Sequence, residues 1–258
     1  MKRGALAATA TVVTGALVFL LACSSEPPGA QAPISLPSRT RDAGKDGPLI
    51  LEPTDAVAGD TGPPPNVFCA QPGIVGCFEF EDSFVDGSGT LTSTTTSTFP
   101  YEDGHKGRAI HLEGVNAIVF PFSAALNMTT ATVEAWVYRS LAAVGVDTVF
   151  DNDTRFAMSL LDDGTLRCST SVAAAKAGSI TVEKWTHVAC AFDATTIHAY
   201  VNGVEVGTAP GTIASSATAG AAIGDNTPGG GEGFSGLVDS LRVFNVVRTS
   251  SQIADAAK

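Results

Sequence analysis

The segment Lys184–Val206, KWTHVACAFDATTIHAYVNGVEV, restricts the possible folds more than any other part of the chain. Apolar residues alternate along His187–Phe192 and again along Ile197–Val201, which predicts two half-buried β-strands. Asn202 and Gly203 follow directly and suit the two positive φ angles of a type I′ hairpin. We therefore expect three consecutive antiparallel strands here.

The rest of the chain beyond about residue 67 has the same character. We expect further strands at Cys77–Glu81, Ala109–Leu112, Ala117–Phe122, Thr132–Tyr138, Phe156–Leu161, Thr165–Ser169 and Gly236–Val246. Thr132–Tyr138 puts Val133, Ala135 and Val137 on one face and Glu134, Trp136 and Tyr138 on the other. Many short strands, frequent turn residues and no sustained helical period predict an all-β antiparallel sandwich.

Five sequence segments also resemble a known family, and they occur in that family's order. They are FEFEDSFVDGSG, GHKGRAIHLEG, TVEAWVY, KWTHVACAFD with HAYVNGVEV, and FSGLVDSLRVFN. They resemble the laminin G-like (LamG) domains of the concanavalin A-like lectin/glucanase superfamily, with Leu112 where Phe is usual and Ser240 in place of a second Asp. The resemblance runs from about Cys77 to Ile253 and implies a jelly-roll sandwich. It does not name a ligand, because this fold carries lectins, enzymes and structural domains alike.

The N-terminus resembles an export signal. Lys2 and Arg3 precede the uncharged run Gly4–Ala22, which has the length and composition of a signal peptide. The ending Leu-Leu-Ala-Cys resembles the lipobox of bacterial lipoproteins, which implies a lipid on Cys23, and Ser24 after it indicates the outer membrane of a two-membrane bacterium. An uncleaved transmembrane anchor is the alternative, since an uncharged run of 19 residues is long enough to span a bilayer.

Composition divides the chain into three parts: a signal peptide at 1–22, a disordered tether at 23–66 and a sandwich domain at 67–258. The tether carries nine of the 14 prolines and too few apolar residues to offset its ordering entropy. Positions 1–66 hold five basic and six acidic residues out of 15 and 26, which leaves 10 and 20, a net −10, on the domain. This charge argues against a nucleic-acid partner and favours cations.

Four cysteines remain in the exported domain: Cys69, Cys77, Cys168 and Cys190. An even number in an oxidising compartment predicts two disulfides with three possible pairings, and four free buried thiols are the alternative. The short loop between Cys69 and Cys77 can fold back on itself. The family resemblance places the strands of Cys168 and Cys190 in one neighbourhood. The loop and the resemblance together favour the pairs 69–77 and 168–190.

The resemblance also implies a structural calcium ion that ties the first strand to the last. Glu81 and Asp239 stand at the positions that supply carboxylates in many sandwiches of this superfamily. Calcium takes six to eight oxygen ligands and accepts carbonyls and water readily, so two carboxylates are a sufficient beginning. The alternative is that Asp239 caps a turn and Glu81 is solvated.

Catalytic patterns are weak. Glu79 and Glu81 are two apart on one predicted strand and so point to the same face. Sandwich glycoside hydrolases use paired carboxylates, but alternating Glu is also common on solvated strands. His187 is interpreted as a hydrogen-bonded structural residue. Trp136 and Trp185 stand where the family has structural aromatics, so they are interpreted as core residues; a sugar-stacking platform that they form with Tyr138 and Tyr200 is the alternative. The sequence therefore predicts no catalytic residue and no enzymatic activity.

These interpretations combine into a binding or adhesion module that is exported and lipid-anchored in the bacterial cell envelope. Its expected partner is a glycan or an envelope or extracellular protein, recognised with the help of calcium. The membrane is contacted through the lipid anchor only. Two alternatives stay open: a structural passenger domain with no small ligand, and a glycan hydrolase or lyase of the same sandwich fold.

Overall fold

The computed structural model describes residues 67–153, 155–227 and 229–258. Cys23, the signal peptide and the tether predicted for 1–66 lie outside the described residues. Two antiparallel sheets pack face to face, so the prediction of an all-β sandwich is confirmed. The elements are β1 Ile74–Phe78, β2 Tyr101–Asp103, β3 Arg108–Glu113, β4 Ile118–Phe120, a short 3₁₀ helix Ala124–Leu126, β5 Ala131–Arg139, β6 Asp147–Asp151, β7 Phe156–Leu160, β8 Leu166–Thr170, β9 Ala174–Ala177, β10 Thr186–Phe192, β11 Thr196–Val201, β12 Val204–Pro210, β13 Ala221–Ile223, β14 Ser235–Phe244 and α1 Ser250–Ala256.

The larger sheet has eight strands in the order β12-β11-β10-β5-β14-β3-β2, and β1 also pairs with β14. The smaller sheet has six strands in the order β4-β13-β6-β7-β8-β9. All the strand pairs in the two sheets are antiparallel. Strands that are distant in sequence thus become neighbours, as in a jelly roll.

The apolar core fills the space between the two sheets. Val133, Ala135 and Val137 of β5 point into it and are fully buried, as the alternation predicts. The core disulfide Cys168–Cys190 joins β8 of one sheet to β10 of the other, and Cys69–Cys77 clips the segment before β1 to that strand. Both are the expected pairs. In the chain-entropy model each contributes about 3 kcal/mol.

The segment Lys184–Val206 folds as expected, with one difference. Asn202 and Gly203 connect β11 to β12 with φ of 49° and 76°, as a type I′ turn requires. Strand β10, however, is buried on both faces. The reason is α1, whose Ile253 packs on the outward-facing Ala189 and Ala191. A capping box between Thr249 and Gln252 begins this helix.

Two further differences concern element boundaries. The predicted strand Cys77–Glu81 ends early, at Phe78, and Phe80 has a φ of 59°, which is incompatible with an extended strand. Strands β2, β6, β9 and β13 and the helix α1 were not predicted, because each is short or lacks alternation. Within the described residues, no helix has the length and apolar character needed to cross a membrane.

Candidate functional site

A strip of aromatic side chains lies on the outer face of the eight-stranded sheet. The rings of His105 and Trp136 stack with centroids 3.4 Å apart, Trp185 lies 6.3 Å from His105, and Tyr138 lies 5.7 Å from Trp185. Trp136, Tyr138 and Trp185 are half-buried, and His105 is exposed. The expectation that Trp136 and Trp185 belong to the core is therefore wrong. We call these four residues the aromatic strip.

A cavity of about 780 Å³ adjoins the aromatic strip. Strands β5, β10 and β14 form its base, the segment before β1 forms one wall, and α1 forms another. Its lining residues are Val67, Phe68, Gln71, Glu79, Glu81, His105, Lys106, Trp136, His187, Ser240, Arg242, Arg248, Gln252, Asp255, Ala256 and Lys258. Because His105 and Trp136 belong to both, the strip and the cavity form one continuous surface.

A buried charge cluster lies beneath this cavity. Glu134 Oε1 accepts hydrogen bonds from Arg242, at 2.5 Å, and from Arg248. Glu134 is 1% exposed, Arg242 5% and Arg248 8%. Burial raises the pKa of Glu134 and lowers that of Arg242, while their mutual attraction opposes both changes. Two guanidinium groups thus share a single carboxylate oxygen, which leaves the cluster with one net positive charge.

Three buried atoms in this region have no hydrogen-bond partner among the described residues: Glu134 Oε2, His187 Nδ1 and Arg242 Nε. Buried polar groups without partners are rare and costly in folded proteins. His187 was expected to be a hydrogen-bonded structural residue, yet its ring borders the cavity with Nδ1 unbonded. Burial, reinforced by Arg242, Arg248 and His105, lowers the pKa of His187 to about 3, so its ring is neutral at physiological pH.

A β-bulge in β14 directs Arg242 to the outer face. Asp239 pairs with Trp136, but Arg242 pairs with Glu134, so three steps on β14 match two on β5. Ser240, at the bulge, has a φ of 54°. Residues three apart on a regular strand point to opposite faces, and the extra residue brings both Asp239 and Arg242 to the same face.

The two predicted calcium ligands, Glu81 and Asp239, meet the same loop, residues 104–108. Asp239 Oδ2 accepts from the backbone N–H of Lys106 at 2.9 Å, and Glu81 Oε2 accepts from that of Arg108 at 3.1 Å. Burial and the charge of Glu81 raise the pKa of Asp239, which is fully buried. Two carboxylates beside one loop, one of them buried without a cationic side-chain partner among the described residues, fit the donor set that calcium prefers.

The other candidates for chemistry are less favourable. Glu79 and Glu81 both line the cavity, but they follow the end of β1 and do not share one strand. Within the described ranges, the only three potential metal-binding residues with ligand atoms within 4.8 Å of one another are Cys69, Cys77 and Glu79. Both sulfurs of this group are consumed by a disulfide, so they are not metal ligands.

Sequence reasoning missed the charge cluster and His105. The alternation along β5 had already placed Glu134 and Trp136 on the face opposite Val133, and it could have shown that these residues leave the core. Arg242 was hidden by the bulge, and Arg248 follows the end of the last strand, so neither had a detectable signal.

Comparisons with known proteins agree with this architecture. The laminin G family model described as the concanavalin A-like lectin/glucanases superfamily matches residues 112–254. No curated protein sequence matches the chain. One similar solved structure is domain 4 of AbnA, a GH43 extracellular arabinanase from Geobacillus stearothermophilus, in complex with arabinotriose. It is 27% identical to this chain with a TM-score of 0.57, and the match covers 72% of this chain and 98% of that domain.

More distant solved structures show the fold alone. Trypanosoma rangeli sialidase is 17% identical with a TM-score of 0.57, and the match covers 72% of this chain and 32% of the sialidase. The binding domain of Paraclostridial Mosquitocidal Protein 1 is 14% identical with a TM-score of 0.57, and the match covers 72% of this chain and 52% of that one. With more than half of its length matched by the family model, this chain belongs to the concanavalin A-like lectin/glucanase superfamily.

Proposed function

We propose that the domain is a glycan-binding module that uses the aromatic strip and the adjoining cavity. The observation that carries this proposal is the continuity of half-exposed aromatic rings with a cavity bordered by buried, unpartnered polar atoms. Aromatic faces pack on the C–H surfaces of sugar rings, and polar atoms fix the orientation of a small ligand. The complex of AbnA domain 4 with arabinotriose supports a sugar ligand.

A glycan array tests this proposal, with and without millimolar calcium, followed by titration of each hit in solution. We expect binding that is lost in a Trp136→Ala, Trp185→Ala double variant, since this change removes the largest rings of the strip. The double variant should keep the unfolding midpoint within a few degrees, because both side chains lie outside the core. Absence of binding to every glycan would favour a structural passenger domain instead.

We further propose that a calcium ion at Glu81 and Asp239 holds loop 104–108 in place. This loop supplies His105 to the aromatic strip and Lys106 to the cavity. The ion would supply positive charge that offsets the cost of the buried Asp239 carboxylate. Calcium would thereby assist glycan binding through the loop's position, with no direct contact to the sugar required.

The module is proposed to act at the cell envelope, anchored by lipid on Cys23. The two disulfides support export. Replacing Cys23 by Ala should move the protein from the membrane fraction to the soluble fraction, because a protein held by acyl chains loses its anchor with the thiol. Retention of Cys23→Ala in the membrane fraction would contradict lipidation.

Glycan hydrolysis is the second candidate, because both Glu79 and Glu81 line the cavity. A pair of carboxyl groups on either side of a glycosidic bond is the minimum for such chemistry. Incubation with the glycans that bind, followed by chromatography of reducing ends, separates the two functions. Product that disappears in Glu79→Gln would establish an enzyme, and binding without product would establish a module that only binds.

A further inference from the structure

The cavity beside the aromatic strip contains more basic side chains than the charge of the domain leads one to expect. We propose that it selects acidic glycans, and that Arg242 and Lys106 bind the carboxylate of a uronic acid residue. This inference rests on the proposed glycan-binding function and adds the class of sugar that the cavity accepts.

The balance of charge at the base of the cavity is the first argument. The domain has ten basic and twenty acidic residues between positions 67 and 258. Against that background, Arg242 and Arg248 are held together at the cavity by one carboxylate, Glu134. Burying two guanidinium groups against one carboxylate is expensive, so a ligand anion that neutralises the second positive charge is strongly favoured.

The geometry of Arg242 is the second argument. Its guanidinium lies 4.3 Å above the ring of Phe68, and one terminal nitrogen is bound to Glu134. Its Nε–H is buried and has no partner among the described residues, and the side chain borders the cavity. A carboxylate is the ligand group that such an N–H binds most strongly, because the hydrogen bond is charge-assisted at both ends.

Lys106 provides the third argument. Its side chain is exposed at the rim of the cavity, directly after His105 in the chain, and forms no ion pair within the described residues. A sugar ring on the aromatic strip therefore lies within reach of the Lys106 ammonium group. A uronic acid combines the two features that this surface recognises, an apolar ring face and a carboxylate on the same residue.

The acidic residues of the cavity do not cancel this preference. Asp255 is bound to Lys258 at 2.6 Å, and Glu81 is directed to the backbone of loop 104–108. Glu79 Oε1 lies 3.6 Å from Cys69 Sγ, at the disulfide side of the cavity. Asp255 and Glu81 thus have local partners of their own, and neither forms an ion pair with Lys106, Arg242 or Arg248 within the described residues.

The decisive experiment compares acidic polysaccharides with their own carboxyl-reduced forms, using the full chain in an uncharged, sugar-free detergent. Polygalacturonate, alginate, hyaluronan and glucuronoxylan are suitable probes, since reduction changes only the carboxylate and leaves the linkage intact. We expect at least one acidic polymer to bind at least about tenfold more tightly than its reduced form, with affinity that falls as salt increases. Equal binding of both forms, or preference for neutral or sulfated glycans, would overturn the inference and leave glycan binding standing. Binding to no glycan would overturn both.

Variants assign the selectivity to residues. Arg242→Gln should weaken binding of the acidic form by about 10- to 100-fold and leave binding of the reduced form nearly unchanged. Lys106→Ala should weaken it by about two- to fivefold, as for an exposed charge. Lys176→Ala, an exposed lysine on β9, is the matched control and should change nothing. Should Arg242→Gln not fold, Lys106→Ala decides: equal loss for both forms of the polymer, or no loss, would refute the assignment.

Discussion

The two faces of strand β5 differ in what their residues do. The inner face carries Val133, Ala135 and Val137, all fully buried between the sheets. Other apolar residues of similar volume could fill the same space. The outer face carries Glu134, Trp136 and Tyr138, whose neighbours are a charge cluster, a stacked histidine and a half-exposed tryptophan. One strand thus contributes to the core on one side and to the proposed binding surface on the other. Substitutions on the inner face should lower the free energy of unfolding. Substitutions on the outer face should change ligand affinity or the pH dependence of stability.

The largest effect on stability is expected from the inner face of the sheet, at Phe192 of the neighbouring strand β10. Phe192 is 1% exposed and packs against Phe156 with ring centroids 5.2 Å apart. Phe192→Ala leaves a cavity and should lower the free energy of unfolding by about 3–5 kcal/mol, measured by denaturant titration. The folded fraction should still bind glycan normally. A folded variant without binding would show that the two faces are not independent.

The next effect concerns the calcium ion proposed at Glu81 and Asp239. Burial and Glu81 raise the pKa of Asp239, so its carboxylate favours the proton in the folded state more than in the unfolded one. Stability therefore falls as pH rises through this range, and the ionised carboxylate is destabilising at neutral pH. Calcium should stabilise the domain by about 2.7 kcal/mol at a hundredfold excess over the dissociation constant, and less at acidic pH.

Thermal unfolding in EDTA and in millimolar calcium measures this increment. Asp239→Asn should abolish it. Asp103→Asn, a fully exposed aspartate near the same loop, should retain it. An equal unfolding midpoint of the unmutated protein in EDTA and in calcium would contradict the proposed calcium site.

His187 gives a smaller effect with a definite sign. Burial, with Arg242, Arg248 and His105 nearby, lowers its pKa to about 3, below the unfolded value of 6.5. The unfolded state then binds the proton between these values, so stability falls as pH decreases below 6.5. Through His187, the free energy of unfolding should fall by about 2 kcal/mol when the pH is lowered from 7 to 5. The difference in unfolding free energy between wild type and His187→Gln over this pH range measures it.

His198 is the matched control. Burial lowers its pKa, but hydrogen bonds and charges of Asp193 and Glu205 outweigh this and raise it. A raised pKa adds stability as pH falls, so His198→Gln should change the same pH profile in the opposite direction. If both variants shift the profile alike, the buried, neutral state assigned to His187 is wrong.

The smallest expected effect belongs to the aromatic strip. Trp185 is half-buried and contacts His105 and Tyr138. Trp185→Ala should weaken glycan binding about tenfold, roughly 1.4 kcal/mol, and change stability by less. Phe122→Ala is the control, because Phe122 is 45% exposed and lies outside the strip. Unchanged affinity in Trp185→Ala would place the ligand elsewhere.

The sandwich could be predicted because its evidence is local. Alternation located β5, β10 and β11 to within one or two residues, and Asn202-Gly203 predicted the turn with its positive φ angles. The disulfide pairs followed from a short loop and from the family resemblance. All of these depend on neighbours in sequence or on a pattern of period two.

The site could not be predicted in the same way, because it depends on contacts between distant segments. Glu134 meets Arg242 and Arg248 only after β14 pairs with β5, and His105 reaches Trp136 from a loop about thirty positions away. The aromatics were misplaced for another reason. The alternation predicts Trp136 on the outer face, whereas its match to a structural aromatic of the family predicts core packing, and the local pattern is the better guide.

The bulge at Ser240 has a consequence for how such domains diverge. Deletion of Ser240 would restore a regular strand in which Asp239 and Arg242 stand two positions apart, like their partners Trp136 and Glu134, so both would stay on the outer face and Val243 would stay in the core. Deletion of a residue within a regular part of the strand would instead move all the residues on one side of it to the opposite face. The bulge is therefore a position at which this strand can change its length without exchanging its two faces. An aligned relative that lacks the extra residue should still carry the cluster on the same face, whatever its overall similarity.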